Sequence, residues 1–181
     1  MPTTVPDMSD GNDDLLGAID HSAVEQRWQQ FASARQIPPG VAPADVFQFG
    51  DSAEMADRLL ALVVDGPKRA TASCRLDYAD DGSDLPTVGD FSIICDGRGL
   101  PRGVIETTDV RVGPLSSVDD AFAWDEGEGD RTRGDWLRMH SDYFERMLGP
   151  VWLQFGDGLA VVFERFDVVD DGACREPETA R

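Results

Sequence analysis

The chain has 181 residues, of which 35 are acidic and 16 basic, giving a formal net charge of −19. That length suits one domain with a sizeable core. The negative field excludes tight non-specific binding to DNA or other polyanions, so any contact with RNA must be local, salt-dependent and confined to single-stranded or looped forms.

Residues 1–14 are acidic, polar and punctuated by proline and glycine, and a disordered tail is expected there. Between 15 and 36 a helical period carries Ile19, Val24, Trp28 and Phe31 on one side, and IPPG ends it. The next helix follows FGD. Ser52 is placed as its N-cap, Glu54 lies in the first turn, Met55, Leu59, Leu62 and Val63 form an apolar face, and Gly66 stops it. From Ala70 the pattern changes to strands: ATASCRLD, FSIICD, GVIETTDVRV and LAVVFERFDVV. A turn-rich loop, YADDGSDLPTVGD, separates the first two, and DGRG at 96–99 marks a hairpin. A helical insertion precedes the last strand. SSVDDAFA opens it, EGEGD interrupts it, and TRGDWLRMHSDYFERML completes it, with Thr132 and Asp135 placed as a capping box. Residues 171–181 form a polar C-terminal tail, which leaves one domain over 15–170. Strands with two leading and two inserted helices imply an α+β fold around a small barrel or strongly curled sheet.

Cys74, Cys95 and Cys174 show no CxxC spacing, which fits reduced thiols and offers no four-ligand zinc site. No basic, apolar leader precedes Arg27, and the longest aliphatic run, LLALVV, is too short to cross a membrane. A cytoplasmic protein without a membrane partner is expected.

Lys68 is the single lysine of the chain; the other fifteen basic residues are arginine. A desolvated amine can take a proton from a neighbouring hydroxyl near neutral pH, whereas a guanidinium cannot. Thr71 lies three residues on, and a solvated lysine following a helix is the plain alternative. In WDEGEGDRTRGD, Glu126, Glu128 and Asp130 alternate with glycines. They offer oxygen ligands to a hard divalent cation or one acid–base group, but a helix start also attracts acidic residues, and no metal or other cofactor is expected. Trp136, His140 and Phe144 share a helical face, a spacing usual for core. Arg69, Arg75, Arg131 and Arg133 bracket the two loops and make a small positive pocket if the loops meet.

FGDSAEMADRLLALVVDGPKRATAS, LPTVGDFSIICDGRGLPRGVIETTDV and EGEGDRTRGDWLRMHSDYF together resemble the ASCH (ASC-1 homology) domain, over about residues 47–169. The bacterial stand-alone subgroup is the nearest likeness. The resemblance implies a PUA-like small β-barrel with flanking and inserted helices, and an association with RNA and modified nucleosides. In small relatives that hydrolyse N4-acetylated cytidine, a lysine, a threonine three residues later and an inserted glutamate are catalytic. These fall on Lys68, Thr71 and Glu126, with Glu128 a close competitor for the third. Much of the wider family reads G-x-K-x-x-E-x-R, where this chain has Thr71 and Ser73, with arginine displaced to Arg75.

The expectation is an amide or ester hydrolase acting on a small modified nucleoside or RNA, with Thr71 as nucleophile and Lys68 as base. Arg69, Ser73, Arg75, Trp124, Glu128, Arg133 and His140 are the expected substrate contacts. The alternatives are a non-catalytic module that binds RNA or a modified base, a ribonuclease, and a protein-interaction domain. The catalytic reading expects Lys68 Nζ within about 2.6–3.2 Å of Thr71 Oγ, directly or through one water. It also expects the Glu126 loop to close the pocket, with Arg69 or Arg133 at the rim.

Overall fold

The computed structural model describes residues 15–170. The tails expected over 1–14 and 171–181, with Cys174, lie outside these residues. Five strands form one curled sheet, a half-barrel, in the order β1 (Asp45–Gln48), β3 (Phe91–Cys95), β4 (Pro101–Pro114), β5 (Ala160–Asp170), β2 (Ala70–Cys74). All pairs are antiparallel except β1 with β3, and β1 and β2 are the free edges. The helices are α1 (His21–Arg35), α2 (Ala53–Val64), α3 (Arg75–Asp81), α4 (Asp120–Glu126), α5 (Arg133–Leu148) and the short α6 (Trp152–Phe155). No helix among the described residues is long and apolar enough to cross a membrane.

Three apolar clusters bind helices to the sheet. Val24, Trp28 and Phe31 of α1 cover Ile93 and Val104. Leu59, Leu60 and Val63 of α2 cover Ile94, Ile105 and Phe166. Phe122 of α4 with Trp136 and Phe144 of α5 covers Val161 and Phe163. Each set repeats at helical spacing, so burial follows the sequence period.

The first helix begins later than its period. Asp20 accepts a hydrogen bond from Ala23 N (3.0 Å) and caps α1 at His21. Residues 17–20 instead lie along the 96–99 turn, with Gly17 N donating to Gly97 O (2.8 Å) and Asp20 N to Gly99 O (2.9 Å). That turn is the expected hairpin. Asp96 Oδ1 accepts from Arg98 N and Leu100 N, both at 3.0 Å, and Gly99 takes φ +82°.

Two further differences bear on function. The strand expected over 70–77 ends at Cys74, and Arg75 begins α3. The Tyr78 and Ser73 hydroxyls meet at 2.8 Å, tying this helix back to the strand. The four-residue β1 was not expected; only parallel pairing with β3 defines it. The capping box is half-formed. Thr132 Oγ1 accepts from Asp135 N (3.2 Å), but Thr132 N donates to Asp130 Oδ1 (2.8 Å) while Asp135 accepts from Asp130 N (3.1 Å).

Candidate functional site

After α2 the chain doubles back: Lys68 N donates to Leu62 O (3.0 Å), and Arg69 N donates to Asp125 O (2.7 Å) at the end of α4. The glutamate loop is thereby laid over Pro67-Lys68. Gly127 takes φ +75°, and a Cβ there would stand 2.8 Å from Lys68 N. Only glycine permits both that dihedral and that approach, and the glutamates on either side of it converge on Lys68.

Lys68 is 1% exposed. Its Nζ donates to Glu128 Oε1 (2.5 Å) and lies 5.4 Å from the Phe49 ring centroid. Glu126, also 1% exposed, places Oε1 3.3 Å from His140 Nε2. His140 stacks on Trp136 at 3.7 Å between centroids, with Nδ1 3.0 Å from Trp136 O. An Nδ1–H donating to that carbonyl leaves Nε2 to face the carboxylate. Burial pushes the Glu126 carboxyl up, but His140 and Lys68 beside it hold it below its ordinary value. Burial likewise pulls His140 down, yet the Glu126 carboxylate and, less, Glu128 hold it above its ordinary value. Glu126 Oε2 and the Trp136 indole nitrogen are buried without a closed hydrogen bond, so the indole acts on the carboxylate as a dipole. Two carboxylates, a lysine and a histidine thus meet in one largely buried cluster.

This cluster forms the floor of a cavity of about 280 Å³ whose wall includes Thr71, Phe49 and Tyr143. No direct Lys68–Thr71 hydrogen bond forms: Lys68 turns to Glu128, the stronger acceptor. Thr71 sits on β2 directly opposite Glu164 of β5, so the two side chains share a face of the sheet. The cavity's arginines are also not those expected. Arg58, Arg138 and Arg146 line it, with Arg138 paired to Asp135 (2.5 Å) and Arg146 to Asp51 (2.7 Å). The Arg138, Asp142, Arg146 spacing on one face of α5 was the sequence signal for two of them.

Five expected contacts lie elsewhere. Arg69 caps α2, donating to Val63 O (2.9 Å) and Lys68 O (2.6 Å). Arg133 donates to Val118 O (2.7 Å) and Ser116 O (2.9 Å), holding the loop before α4. Trp124 is 58% exposed under the Arg131 guanidinium, 3.7 Å from its ring centroid. Arg75 is exposed at the start of α3. Ser73 is held by Tyr78 in a neighbouring trough. Arg69 and Arg133 thus turn to backbone carbonyls and Arg75 to the surface, and none of the three lines the cavity. The acidic residues Glu126, Glu128 and Asp130 also diverge, since Asp130 accepts from the N–H and hydroxyl of Thr132, the N-cap of α5. No three metal-binding side chains converge among the described residues.

A curled half-barrel with inserted helices and a lysine–carboxylate cavity defines a PUA-like α+β protein. The ASCH domain model matches residues 45–170, so the chain belongs to the ASCH domain family. A solved protein of Enterococcus faecalis V583 is 37% identical, with TM-score 0.75, over 84% of this chain and 91% of that one. The ASCH domain of Lactobacillus crispatus JV V101 is 26% identical, with TM-score 0.73, over 82% and 95%. No curated protein matches the chain.

Proposed function

We propose that this ASCH domain hydrolyses an amide or ester on a small modified nucleoside, N4-acylcytidine being the type, or on the same group in single-stranded RNA. The observation that carries the reading is the pair of buried Lys68 with half-buried Glu128 in a cavity also lined by Thr71, Glu126 and His140.

In this mechanism Lys68 Nζ passes one proton to Glu128 Oε1 and becomes a neutral amine. Thr71 Oγ then adds to the acyl carbon while its proton goes to Nζ. As the tetrahedral adduct collapses, the leaving nitrogen takes that proton. Water cleaves the acyl–Thr71 ester by the same relay, and Glu128 returns the first proton to Lys68. Glu126 and the His140 imidazolium orient the amine and stabilise the oxyanion. The chain's −19 charge favours a mononucleoside over a long polyanion.

A second reading, recognition of a modified base without chemistry, draws on the three arginines at the cavity wall. One experiment separates them: incubate the protein with N-acylated nucleosides and short RNAs and follow products by mass spectrometry. Catalysis predicts that Lys68→Arg lowers turnover by about 10²–10⁴, with Thr71→Ala abolishing the acyl intermediate. Binding alone predicts no product, with ligand affinity in Lys68→Arg kept within a few-fold.

A further inference from the structure

The wall of the Lys68 cavity runs from buried to exposed, and its charges sort along that gradient. Lys68 and Glu126 on the floor are 1% exposed. Arg58 of α2 is exposed, and Arg138 and Arg146 of α5 expose 63% and 55% of their side chains. All three arginines line the same cavity, and their exposure sets them at its mouth. We propose, on the strength of the hydrolase reading above, that this mouth binds one phosphate on the ribose of the substrate. The ligand of the site is then a nucleoside monophosphate, and Arg58 is the residue that selects it.

Charge singles out this opening. The chain carries 35 acidic residues against 16 basic ones, yet the cavity wall sets Arg58, Lys68, Arg138 and Arg146 against Glu126, Glu128 and Asp142. The ion pairs decide which cation is left over. Lys68 is held by Glu128. Arg138 gives Nη2 to Asp135 (2.5 Å), with Asp142 3.7 Å from Nη1. Arg146 gives Nε (3.0 Å) and Nη2 (2.7 Å) to Asp51, which ties α5 to the turn before α2 and leaves Nη1 open. Arg58 makes no hydrogen bond or ion pair among the described residues. A guanidinium is a planar fork of donors that matches a phosphate with two parallel hydrogen bonds. Arg58 offers that fork unpaired, and the Asp51 pair holds Arg146 in place beside the same opening.

Size and connectivity bring a phosphate to this point. A cavity of about 280 Å³ is at the small end of ligand pockets and takes one base with its sugar. The acyl group must reach Lys68 and Thr71. In an N4-acylcytidine the acylated nitrogen and the glycosidic nitrogen leave the ring from opposite ends. An acyl group on the floor therefore directs the ribose outward, and a phosphate on that ribose arrives among the arginines. Asp51, Asp135 and Asp142 already flank two of them, so one phosphate is matched while a string of phosphates meets the negative field of the chain.

Cytidine and its 5′- and 3′-monophosphates have no acyl group to lose, so their binding reads the mouth independently of hydrolysis. Titration calorimetry in about 0.1 M salt should show the better monophosphate binding about tenfold tighter than cytidine, an advantage that shrinks as salt is raised. Arg58→Gln changes an exposed side chain and should cut that ratio to under about threefold, with Arg58→Lys keeping part of it. Arg35→Gln removes the same charge from α1, which packs on β3 and β4, and should leave the ratio within about twofold of the parent's. Equal affinity for cytidine and both monophosphates, no binding of any of them, or the same loss in Arg35→Gln would overturn the site. So would a short RNA that binds more than about tenfold tighter than the monophosphate. The two readings fail separately. Acyl nucleosides hydrolysed without any phosphate advantage would remove the mouth and keep the hydrolase, whereas a phosphate advantage lost in Arg58→Gln, with no hydrolysis, would keep the mouth and remove the hydrolase.

Discussion

The Lys68 pocket and the trough beside it are built from neighbouring parts: edge strands β1 and β2, the Phe47–Phe49 pair, and one buried carboxylate each, Glu126 and Glu164. In the pocket, Glu126 and Glu128 face Lys68 and His140, and the charges are satisfied within the chain. In the trough, Glu164 has one hydroxyl donor and carboxylate neighbours, and among the described residues no lysine, arginine or histidine lines it. A buried charge with a partner is costly to disturb, whereas one without a partner is costly to keep. Removing charge should therefore have opposite effects on stability in the two places.

The largest expected effect is on the pocket. Lys68→Met leaves Glu126 and Glu128 without their shared cation and should cost about 3 kcal/mol or more in denaturant unfolding at pH 7. A change under about 1 kcal/mol would mean that water already reaches the carboxylates, which would end the distinction between the cavities.

Gly127→Ala comes next. The new Cβ meets the Lys68 backbone nitrogen at 2.8 Å in a left-handed conformation, so the glutamate loop must lift. A loss of about 2 kcal/mol is expected, together with loss of hydrolysis, because Glu126 and Glu128 no longer converge. Retained activity with reduced stability would show that the loop's position is not what serves the chemistry.

The Glu126–His140 pair sets a pH window. His140 is raised in the folded protein, so its contribution is full below its unfolded pKa and fades as pH rises through the folded one. Glu126 is lowered, so its contribution is present above its unfolded pKa and fades as pH falls through the folded one. The pair is at full strength between those unfolded values, roughly pH 5–6. His140→Gln should be most destabilising there, and the gap to the parent should narrow by pH 8.5, as measured by thermal unfolding across pH.

The smallest effect has the opposite sign. Glu164 is raised, so its ionised form penalises the fold above its unfolded pKa, and stability is regained as pH falls. Glu164→Gln keeps an acceptor for Thr107 and should stabilise the protein by under about 1 kcal/mol at pH 7, with the gain gone near pH 4. Destabilisation at pH 7 would place an unrecognised cation against this carboxylate.

The sequence alone determined the elements that repeat. Val24, Trp28 and Phe31, and likewise Leu59 and Val63, were legible because a helix buries one stripe and the stripe has a period. The lone lysine, the threonine three residues on and the EGEG loop were legible as chemistry, because residue type limits what a side chain can do. Tertiary structure alone decided β1, which has four residues and exists by pairing with β3. It also decided which arginines reach the cavity: Arg69 beside Lys68 and Arg133 beside the glutamate loop satisfy backbone carbonyls, while Arg58, Arg138 and Arg146 arrive from two helices. Above all it decided the acceptor of Lys68, since Glu128 and Thr71 both line the lysine's cavity and only folding the loop over Gly127 sets the carboxylate against it. A side chain's chemistry is local, but its partner is fixed by how distant segments pack, and that information is held in the fold as a whole.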